Sequence, residues 1–322
     1  MSYDSAALAE LDWRGLIDDL SAEELDEALG DGSVSFYCGF DPTSDSLQVG
    51  NLLPVMVMAH LYRQGHRPVA LAGGATGRIG DPSGRSSERD LLGDEELERN
   101  LSAISSQLES IFERALTFRS ERASRAEGDG DVAVRNNDEW LGEFRYVDFL
   151  RDVGKHFRVN KMINKESVRS RLEDRDQGIS YTEFSYMLLQ AYDFLHLYRE
   201  EDCRLQVGGS DQWGNITAGI DLVRRKEGEE VFGLTAPLVT TPAGEKLGKT
   251  ADGTVWLDPE KTSPYEFYQY WIRRRDGEMP ELLRMFTFLP EEEVVELSEF
   301  AQSDEHRGEV QERLALEVTK LV

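Results

Sequence analysis

Residues 34–77 read VSFYCGFDPTSDSLQVGNLLPVMVMAHLYRQGHRPVALAGGATG, and this stretch decides the fold. Its first apolar run, Val34 to Phe40, predicts a buried strand that ends in the turn Asp41-Pro42-Thr43. A helical pattern follows from about Val49 to Gln64, and Pro68 to Ala72 predicts a second buried strand. A strand, a helix and a strand in this order form a βαβ unit, so we expect a parallel sheet in an α/β fold.

The remainder of the chain continues this alternation. Further strands are predicted at Val132 to Val134, at Cys203 to Val207 and, as the last strand, at Leu238 to Thr240. Helices are predicted over residues 85–130, over most of Trp140 to Arg199, and from Pro264 onward.

The composition disfavours several classes of protein. The longest apolar runs, such as Leu52 to Met58, are too short to cross a bilayer, and residues 1–15 lack the pattern of a secretory signal. We therefore expect a cytoplasmic protein in which Cys38 and Cys203 are reduced thiols. Because no cluster of His and Cys is present, we expect no structural metal.

The chain is strongly acidic, with 62 acidic and 36 basic residues and a net charge of −26. Such a surface repels polyanions at long range, which by itself disfavours a nucleic acid partner. High salt screens that repulsion, so we favour adaptation to a salt-rich cytosol. The alternative is an ordinary acidic enzyme with a locally basic face for RNA.

Three loops follow predicted strands, where open parallel sheets bind ligands. In the first loop, Gln48 and Asn51 are three residues apart and share one helix face, while Gly50 lets a base or a phosphate approach the backbone. From the pattern alone, this segment is equally a plain turn with polar helix caps.

The other two loops carry positive charge. The glycine-rich loop from Gly73 contains Arg85 and Arg89, which suit a polyphosphate, although the Walker A ending is absent. Lysine is scarce in this chain, yet Lys246 and Lys249 lie three residues apart. By themselves these residues are typical of a solvated loop, but the scarcity of lysine elsewhere suggests a role for them as a flexible cationic clamp.

A polar stripe occupies one face of a predicted helix. Tyr186, Gln190 and Asp193 are spaced by four and three residues, so they point in one direction amid apolar neighbours. The stripe is either a hydrogen-bonded core network or the wall of a pocket.

Taken in order, these segments resemble the bacterial-type tyrosyl-tRNA synthetases of class I, from about Ile17 to the end. The matching runs are Tyr37-Cys38-Gly39-Phe40-Asp41-Pro42-Thr43 with Gln48-Val49-Gly50-Asn51, Gly73-Gly74-Ala75-Thr76-Gly77, Gly80-Asp81-Pro82-Ser83, Val207 to Asn215, Lys246-Leu247-Gly248-Lys249-Thr250, and Ser263 to Gln269. We call residues 37–51 the first signature segment and residues 246–250 the second, which corresponds to the family's KMSKS motif.

The resemblance implies a domain organisation. A Rossmann-like catalytic domain at residues 1–240 would include a helical insert that forms a homodimer. Residues 241–258 would form the second signature loop and a linker, and residues 259–322 a helical anticodon-binding domain. Family members usually continue into a small RNA-binding domain, so a chain that stops at Val322 is expected to be truncated.

The resemblance also assigns roles to residues in binding L-tyrosine and ATP. The tyrosine phenol is expected between Tyr37 and Asp193, its ammonium at Asp81, Tyr186 and Gln190, and its carboxylate near Gln212. ATP is expected to contact Cys38, Gly39, Asp41, Gly50, Asn51, Gly209, Asp211, Lys246 and Lys249.

The implied reaction is attack of the tyrosine carboxylate on the α-phosphorus of ATP, followed by transfer to tRNA(Tyr). No general base is required, so catalysis rests on positioning and charge stabilisation, with Mg²⁺ on the phosphates. The candidate catalytic residues are Thr43, Gln48, Arg85, Arg89, Lys246, Lys249 and Thr250.

The chain departs from the family pattern at three of these positions. Gln48 and Asn51 stand where histidine is usual, and Arg85 stands where lysine often occurs. A glutamine amide can donate to a phosphate but is never charged, so we expect slower activation or an altered pH profile.

For tRNA, the resemblance draws attention to the basic stretch Lys155 to Arg171 with Arg224, Arg225 and Lys226, although solvated helix faces would look the same. Three rival functions remain: a tryptophanyl-type synthetase, a catalytically silent RNA-binding paralogue and a generic nucleotide-binding module. Asp193 and Tyr37 favour a phenol over an indole, and the retained polar residues Asp81 and Gln212 disfavour a scaffold.

Overall fold

The computed structural model describes most of the chain. The described residues are 3–83, 92–117, 132–165, 168–169, 172, 178–240, 247–250, 253–301 and 306–322.

Within the described part of the chain, six strands form one sheet, which confirms the predicted α/β class. They are β1 (Asp19–Leu20), β2 (Ser35–Phe40), β3 (Arg67–Ala72), β4 (Ala133–Asn136), β5 (Cys203–Gly209) and β6 (Phe232–Ala236). Their spatial order is β1-β6-β5-β2-β3-β4, and all neighbours are parallel except β1 and β6. A further hairpin pairs β7 (Lys249–Thr250) with β8 (Gly253–Thr254).

Helices cover both faces of the sheet and form the C-terminal region. In the first half they are α1 (Ala6–Trp13), α2 (Glu24–Asp31), α3 (Leu52–Arg63), α4 (Asp94–Thr117), α5 (Asp138–Leu141), α6 (Tyr146–Asp152) and α7 (Val159–Met162). They continue with α8 (Tyr181–Glu201), α9 (Trp213–Glu227), α10 (Pro264–Ile272), α11 (Met279–Phe286), α12 (Glu291–Phe300) and α13 (Arg307–Leu321).

The predicted last strand at Leu238 to Thr240 is wrong. The last strand of the sheet is β6, which ends at Ala236 and pairs with β5 over its full length. The run Phe232 to Ala236 is buried throughout, whereas Leu238 is 46% exposed. Burial against β5 thus selects the earlier run, although its glycine weakens the strand signal.

Side chains of β2 alternate between two apolar cores, as the pleat requires. Phe36, Cys38 and Phe40 pack into a core that includes α3 and the C-terminal helices. Tyr37 points to the opposite core, which α8 and α9 cover. One central strand therefore supplies side chains to both layers.

A buried arginine joins the two ends of the chain. The Arg14 guanidinium at the end of α1 donates to the carbonyl oxygens of Arg284, Thr287 and Leu289 at 2.8–2.9 Å. Glu10 balances its charge at 2.7 Å. These bonds fix the C-terminal helices against α1. Among the described residues, no helix is both long and apolar enough to cross a membrane.

Candidate functional site

A cavity of about 300 Å³ opens beyond the carboxyl ends of β2 and β5. The chain order reverses between these two strands, which is where open α/β sheets bind ligands. Predicted site residues that line the cavity are Tyr37, Cys38, Gly39, Asp41, Thr43, Gln48, Asn51, Asp81, Tyr186, Gln190, Asp193, Gly209, Asp211 and Gln212. The polar stripe on α8 is thus a pocket wall.

One end of the cavity is closed by Asp193 and Tyr37. Asp193 is fully buried, and its carboxyl oxygens accept from Trp140 Nε1 at 2.8 Å and Asn137 Nδ2 at 3.0 Å. Burial raises the pKa of Asp193 to about 8, although both hydrogen bonds oppose that rise. The Tyr37 hydroxyl is also buried and has no hydrogen-bond partner among the described residues.

Sequence reasoning missed Asn137 and Trp140. Asn137 follows β4 and also donates to Thr76 Oγ1 at 3.0 Å, while Trp140 stacks on His196 at 4.1 Å between ring centroids. The rule that ligand-facing residues follow strands could have found Asn137, because it comes directly after β4. We find no local pattern that marks Trp140.

Polar side chains in the middle of the cavity form a chain of hydrogen bonds. Gln212 Nε2 donates to Asp81 Oδ2 at 2.5 Å, and Gln190 Nε2 donates to Gln212 Oε1 at 3.3 Å. Asn215, which sequence reasoning also missed, donates to Gln212 Oε1 and to Ser83. Gln190 Oε1 is buried and lacks a partner among the described residues, so it can accept from a ligand.

Asp41 lies between the two halves of the cavity. The Tyr186 hydroxyl donates to Asp41 Oδ2 at 3.3 Å, and Thr76 Oγ1 donates to Asp41 Oδ1 at 3.3 Å. A Cβ on Gly73 would lie 2.6 Å from Asp41 Oδ1, so only glycine permits this packing. The structure therefore joins Tyr186, expected at the ammonium, to a residue expected at ATP.

The other end of the cavity contains Gln48 and Asn51, the two positions at which the family resemblance leads us to expect histidine. The Gln48 backbone N–H donates to Asn51 Oδ1 at 3.0 Å, and the Gln48 side chain accepts from the Asn51 backbone in return. This reciprocal capping box begins the turn that leads into α3. Gly50 does not line the cavity and instead faces the Leu247 carbonyl.

Several predicted catalytic residues fall outside what the structure describes. Arg85, Arg89 and Lys246 are not among the described residues. Lys249 and Thr250 form β7, which pairs with β8. The roles assigned to these five side chains stay predictions.

Both cysteines are free, as expected. Burial raises the pKa of the Cys38 thiol to about 12, and that of Cys203 also to about 12. Neither thiol ionises near neutral pH, so neither acts as a nucleophile.

Part of the predicted tRNA-contacting surface is brought together by the structure. Lys165 Nζ donates to Thr217 Oγ1 at 2.6 Å. Arg225 donates to the His156 carbonyl, and Lys226 donates to the Asp152 carbonyl at 3.4 Å. A second cavity of about 350 Å³ lies here. Arg224 and Arg225 also pair with Asp221, which offsets some of their charge. Arg171 lies outside the described residues.

The sequence and the fold match a known class of enzyme. The family described as tRNA synthetases class I (W and Y) matches residues 30–322 of this chain. The chain is 52% identical over 318 residues to the tyrosine–tRNA ligase of Bacillus caldotenax, covering 98% of this chain and 72% of the relative. It is 48% identical over 319 residues to that of Rhodopirellula baltica, covering 99% and 70%.

A solved structure supports the same relationship. A C-terminally truncated mitochondrial tyrosyl-tRNA synthetase from Aspergillus nidulans superposes with a TM-score of 0.88 at 32% identity, covering 98% of this chain and 89% of that one. Within its class, the chain therefore belongs to the tyrosyl-tRNA synthetases, the tyrosine–tRNA ligases.

Proposed function

We propose that this chain activates L-tyrosine with ATP and transfers it to tRNA(Tyr), using the cavity beyond β2 and β5. The observation that supports this most is the closed end of the cavity, where a buried carboxyl and a buried phenol with no partner among the described residues face one space. A substrate hydroxyl is the group that satisfies both. Phenylalanine would leave the buried Tyr37 hydroxyl without a partner and would add no hydrogen bond to Asp193. This is a kind of discrimination for which tyrosyl-tRNA synthetases are themselves the usual example.

The amino and carboxylate groups of tyrosine are proposed to meet the middle of the cavity. An ammonium between Asp81 and Gln190 would donate to a carboxylate and to the unpartnered Gln190 Oε1. Gln212 contacts both of these side chains, so it can turn its amide toward the substrate carboxylate or the α-phosphate. Tyr186, held by Asp41, would complete this group.

ATP is proposed to lie from Gly209 and Asp211 toward the start of α3. The ribose hydroxyls would meet Asp211, and the backbone at Cys38 and Gly39 would approach the nucleotide. The phosphates would lie near Thr43, Gln48 and Asn51, where the start of a helix favours negative charge.

The activation step needs positioning more than proton transfer. The tyrosine carboxylate attacks the α-phosphorus, the bond to the pyrophosphate oxygen breaks, and pyrophosphate carries away the electron pair. Donors aimed at the leaving phosphates stabilise the developing charge. For this role we propose Thr43 and Gln48 together with Arg85, Arg89, Lys246, Lys249 and Thr250.

Mg²⁺ is proposed to enter as part of the substrate, bound to ATP phosphates. Among the described residues, no group of three or more His, Cys, Asp and Glu side chains is arranged to hold a metal ion. Mg²⁺ commonly binds through substrate phosphates and keeps several waters, so such a group is not required.

Tyrosine-dependent exchange of labelled pyrophosphate into ATP tests the proposal. We expect exchange with tyrosine and none with phenylalanine or tryptophan. A rise in the rate with salt would support the halophilic interpretation of the charge of −26. Exchange with tryptophan would favour the tryptophanyl alternative. No exchange at any salt would reject the enzyme proposal and favour an RNA-binding scaffold.

A homodimer is proposed through the surface between β4 and α8. Large apolar side chains are exposed there: Tyr146, Val147, Leu150, Val159, Ile163, Leu172 and Tyr181. Exposed apolar groups of this number mark an interaction surface. Light scattering of the wild type should give twice the monomer mass. Tyr181→Glu should lower the measured mass to that of one monomer. A wild-type monomer would contradict the proposal.

Contact with tRNA is proposed at Lys155 to Lys165 and the end of α9. Binding must overcome the global charge, so we expect it to be modest at low salt. The division into a catalytic domain at 1–240, a linker at 241–258 and an anticodon-binding domain at 259–322 likewise stays a proposal. Lys161→Ala should weaken tRNA charging while leaving pyrophosphate exchange unchanged.

A further inference from the structure

A tyrosine outside the cavity holds the backbone of the second signature segment. Tyr270 lies on α10 and is only 7% exposed. Its hydroxyl accepts a hydrogen bond from the Gly248 N–H at 2.9 Å, and this bond is buried. The two residues are 22 positions apart, so this is a tertiary contact.

Gly248 is a tightly constrained point of that segment. Its φ of +89° lies in the left-handed region that favours glycine. A Cβ there would lie 3.1 Å from the Val49 Cβ and 3.3 Å from the Gly50 nitrogen, so the first and second signature segments pack in direct contact at this position. The direction in which the chain leaves Gly248 sets the position of Lys249.

The far side of the hairpin is held by separate contacts. Val49 N–H donates to the Val255 carbonyl at 3.1 Å, Leu257 N–H to the Leu47 carbonyl at 2.9 Å, and Asp258 N–H to Ser46 Oγ at 3.1 Å. These bonds attach residues 255–258 to the first signature segment without involving Tyr270. At the start of the hairpin, the Leu247 N–H donates to the Val239 carbonyl, and the Gly248 N–H donates to the Tyr270 hydroxyl.

Tyr270 is itself held in place. The Arg274 guanidinium lies 4.2 Å from the Tyr270 ring centroid, and the Trp271 ring meets it edge-on at 5.4 Å. Gln311 Nε2 in turn donates to the Arg274 carbonyl at 3.1 Å. The hydroxyl therefore presents a fixed acceptor to the loop.

We propose that Tyr270 is a positioning residue for tyrosine activation, whose hydroxyl fixes Gly248 and thereby sets where Lys249 meets the leaving pyrophosphate. The inference rests on the proposed function, because it assigns Lys249 to the phosphates. Without the hydroxyl, the buried Gly248 N–H loses its acceptor, and conformations that expose this N–H to water become favoured. The arrangement needed for activation is then less populated.

The test is Tyr270→Phe, which keeps the ring and removes one oxygen. We expect kcat for pyrophosphate exchange to fall about tenfold, with KM for tyrosine unchanged within about twofold. Tyr268→Phe is the matched control, because Tyr268 lies on the same helix and is not placed in the site. It should retain the wild-type kcat. Melting temperatures of the variants establish that both are folded.

A double-mutant cycle separates positioning from general damage. In a Lys249→Ala background, Tyr270→Phe should cost no more than about twofold, because the group it positions is gone. An undiminished tenfold loss there, or a raised KM for tyrosine, would overturn the proposal. So would an unchanged kcat for Tyr270→Phe. Absence of tyrosine-dependent exchange in the wild type would instead reject the proposed function itself.

Discussion

At the closed end of the cavity, Asp193 is buried and accepts from two side chains that lie 53 and 56 residues earlier in the chain. At the opposite end, called the phosphate end because we propose that the ATP phosphates bind there, Gln48 and Asn51 are three residues apart and cap each other's backbone. The closed end is therefore fixed by tertiary contacts and burial, whereas the phosphate end is fixed by local sequence and by the hairpin that packs on it.

The two ends of the cavity therefore suit different tasks. A preformed, desolvated end can reject a substrate that lacks one hydroxyl, because its buried polar groups would be left unpaired. An end made of turns and a hairpin can adjust as phosphates arrive and depart. Under the proposed function, recognition of tyrosine and attack on the α-phosphorus would thus be separated along one cavity.

The strongest way to break the closed end is Asp193→Asn. The amide offers one acceptor oxygen where the carboxyl offers two, and it cannot become an anion. We expect kcat/KM for tyrosine in pyrophosphate exchange to fall roughly 100-fold, near the upper end of the cost of leaving a buried polar group without its proper partner. Trp140→Phe removes only one donor to Asp193, so kcat/KM for tyrosine should fall less in this variant. Equal losses would mean that packing, not the carboxyl, governs this end.

Titration offers a second way to examine the same group. Because the pKa of Asp193 is raised to about 8, the folded protein keeps a proton that the unfolded chain releases near pH 4. Its contribution to the free energy of unfolding is full below about pH 4 and is lost as pH rises toward 8, by at most about 1.4 kcal/mol per pH unit.

Melting curves of the wild type and Asp193→Asn between pH 5 and 8 check this sign. The difference in stability between the two proteins should shift in favour of the variant as pH rises. A constant difference would show that Asp193 is ionised throughout.

At the phosphate end, Gln48→His should raise the activation rate about fivefold, because a protonated imidazole donates a charged hydrogen bond to phosphate. The reciprocal cap predicts coupling, so Gln48→His with Asn51→His should differ from the sum of the single variants. Pre-steady-state formation of the adenylate measures both. No gain from either variant would indicate that the glutamine amide already serves the phosphate.

The smallest effect is expected away from both ends. Ser263 and Glu266 form a capping box at the exposed start of α10. Ser263→Ala should lower the free energy of unfolding by about 0.5–1 kcal/mol, measured in urea, and leave KM for tyrosine unchanged. A changed KM for tyrosine would mean that loss of this helix cap alters the structure of the cavity.

Part of this site could be predicted from the sequence, whereas the residues that reach it through tertiary contacts could not. Helical periodicity placed Tyr186, Gln190 and Asp193 on one face of a helix, but left a core network and a pocket wall as alternatives until the structure put all three in the cavity lining. Tyr37 was assigned by the family resemblance and not by local spacing. Asn137 and Trp140 reach Asp193 only because the sheet brings β4 and α5 beside α8. The spacing of residues along the chain does not predict such a tertiary contact. The error at Leu238 arose because only burial against β5 distinguishes two apolar runs.

The buried Arg14 has a consequence for biosynthesis. Its three carbonyl partners include one that is 275 residues later in the chain. At ribosomal rates of about 5–20 residues per second, roughly 15–55 s pass between synthesis of the arginine and of its last acceptor. During that interval the guanidinium lacks these three acceptors, so α1 cannot reach its final packing. The docking of α1 is complete only after the C-terminal helices have been synthesised.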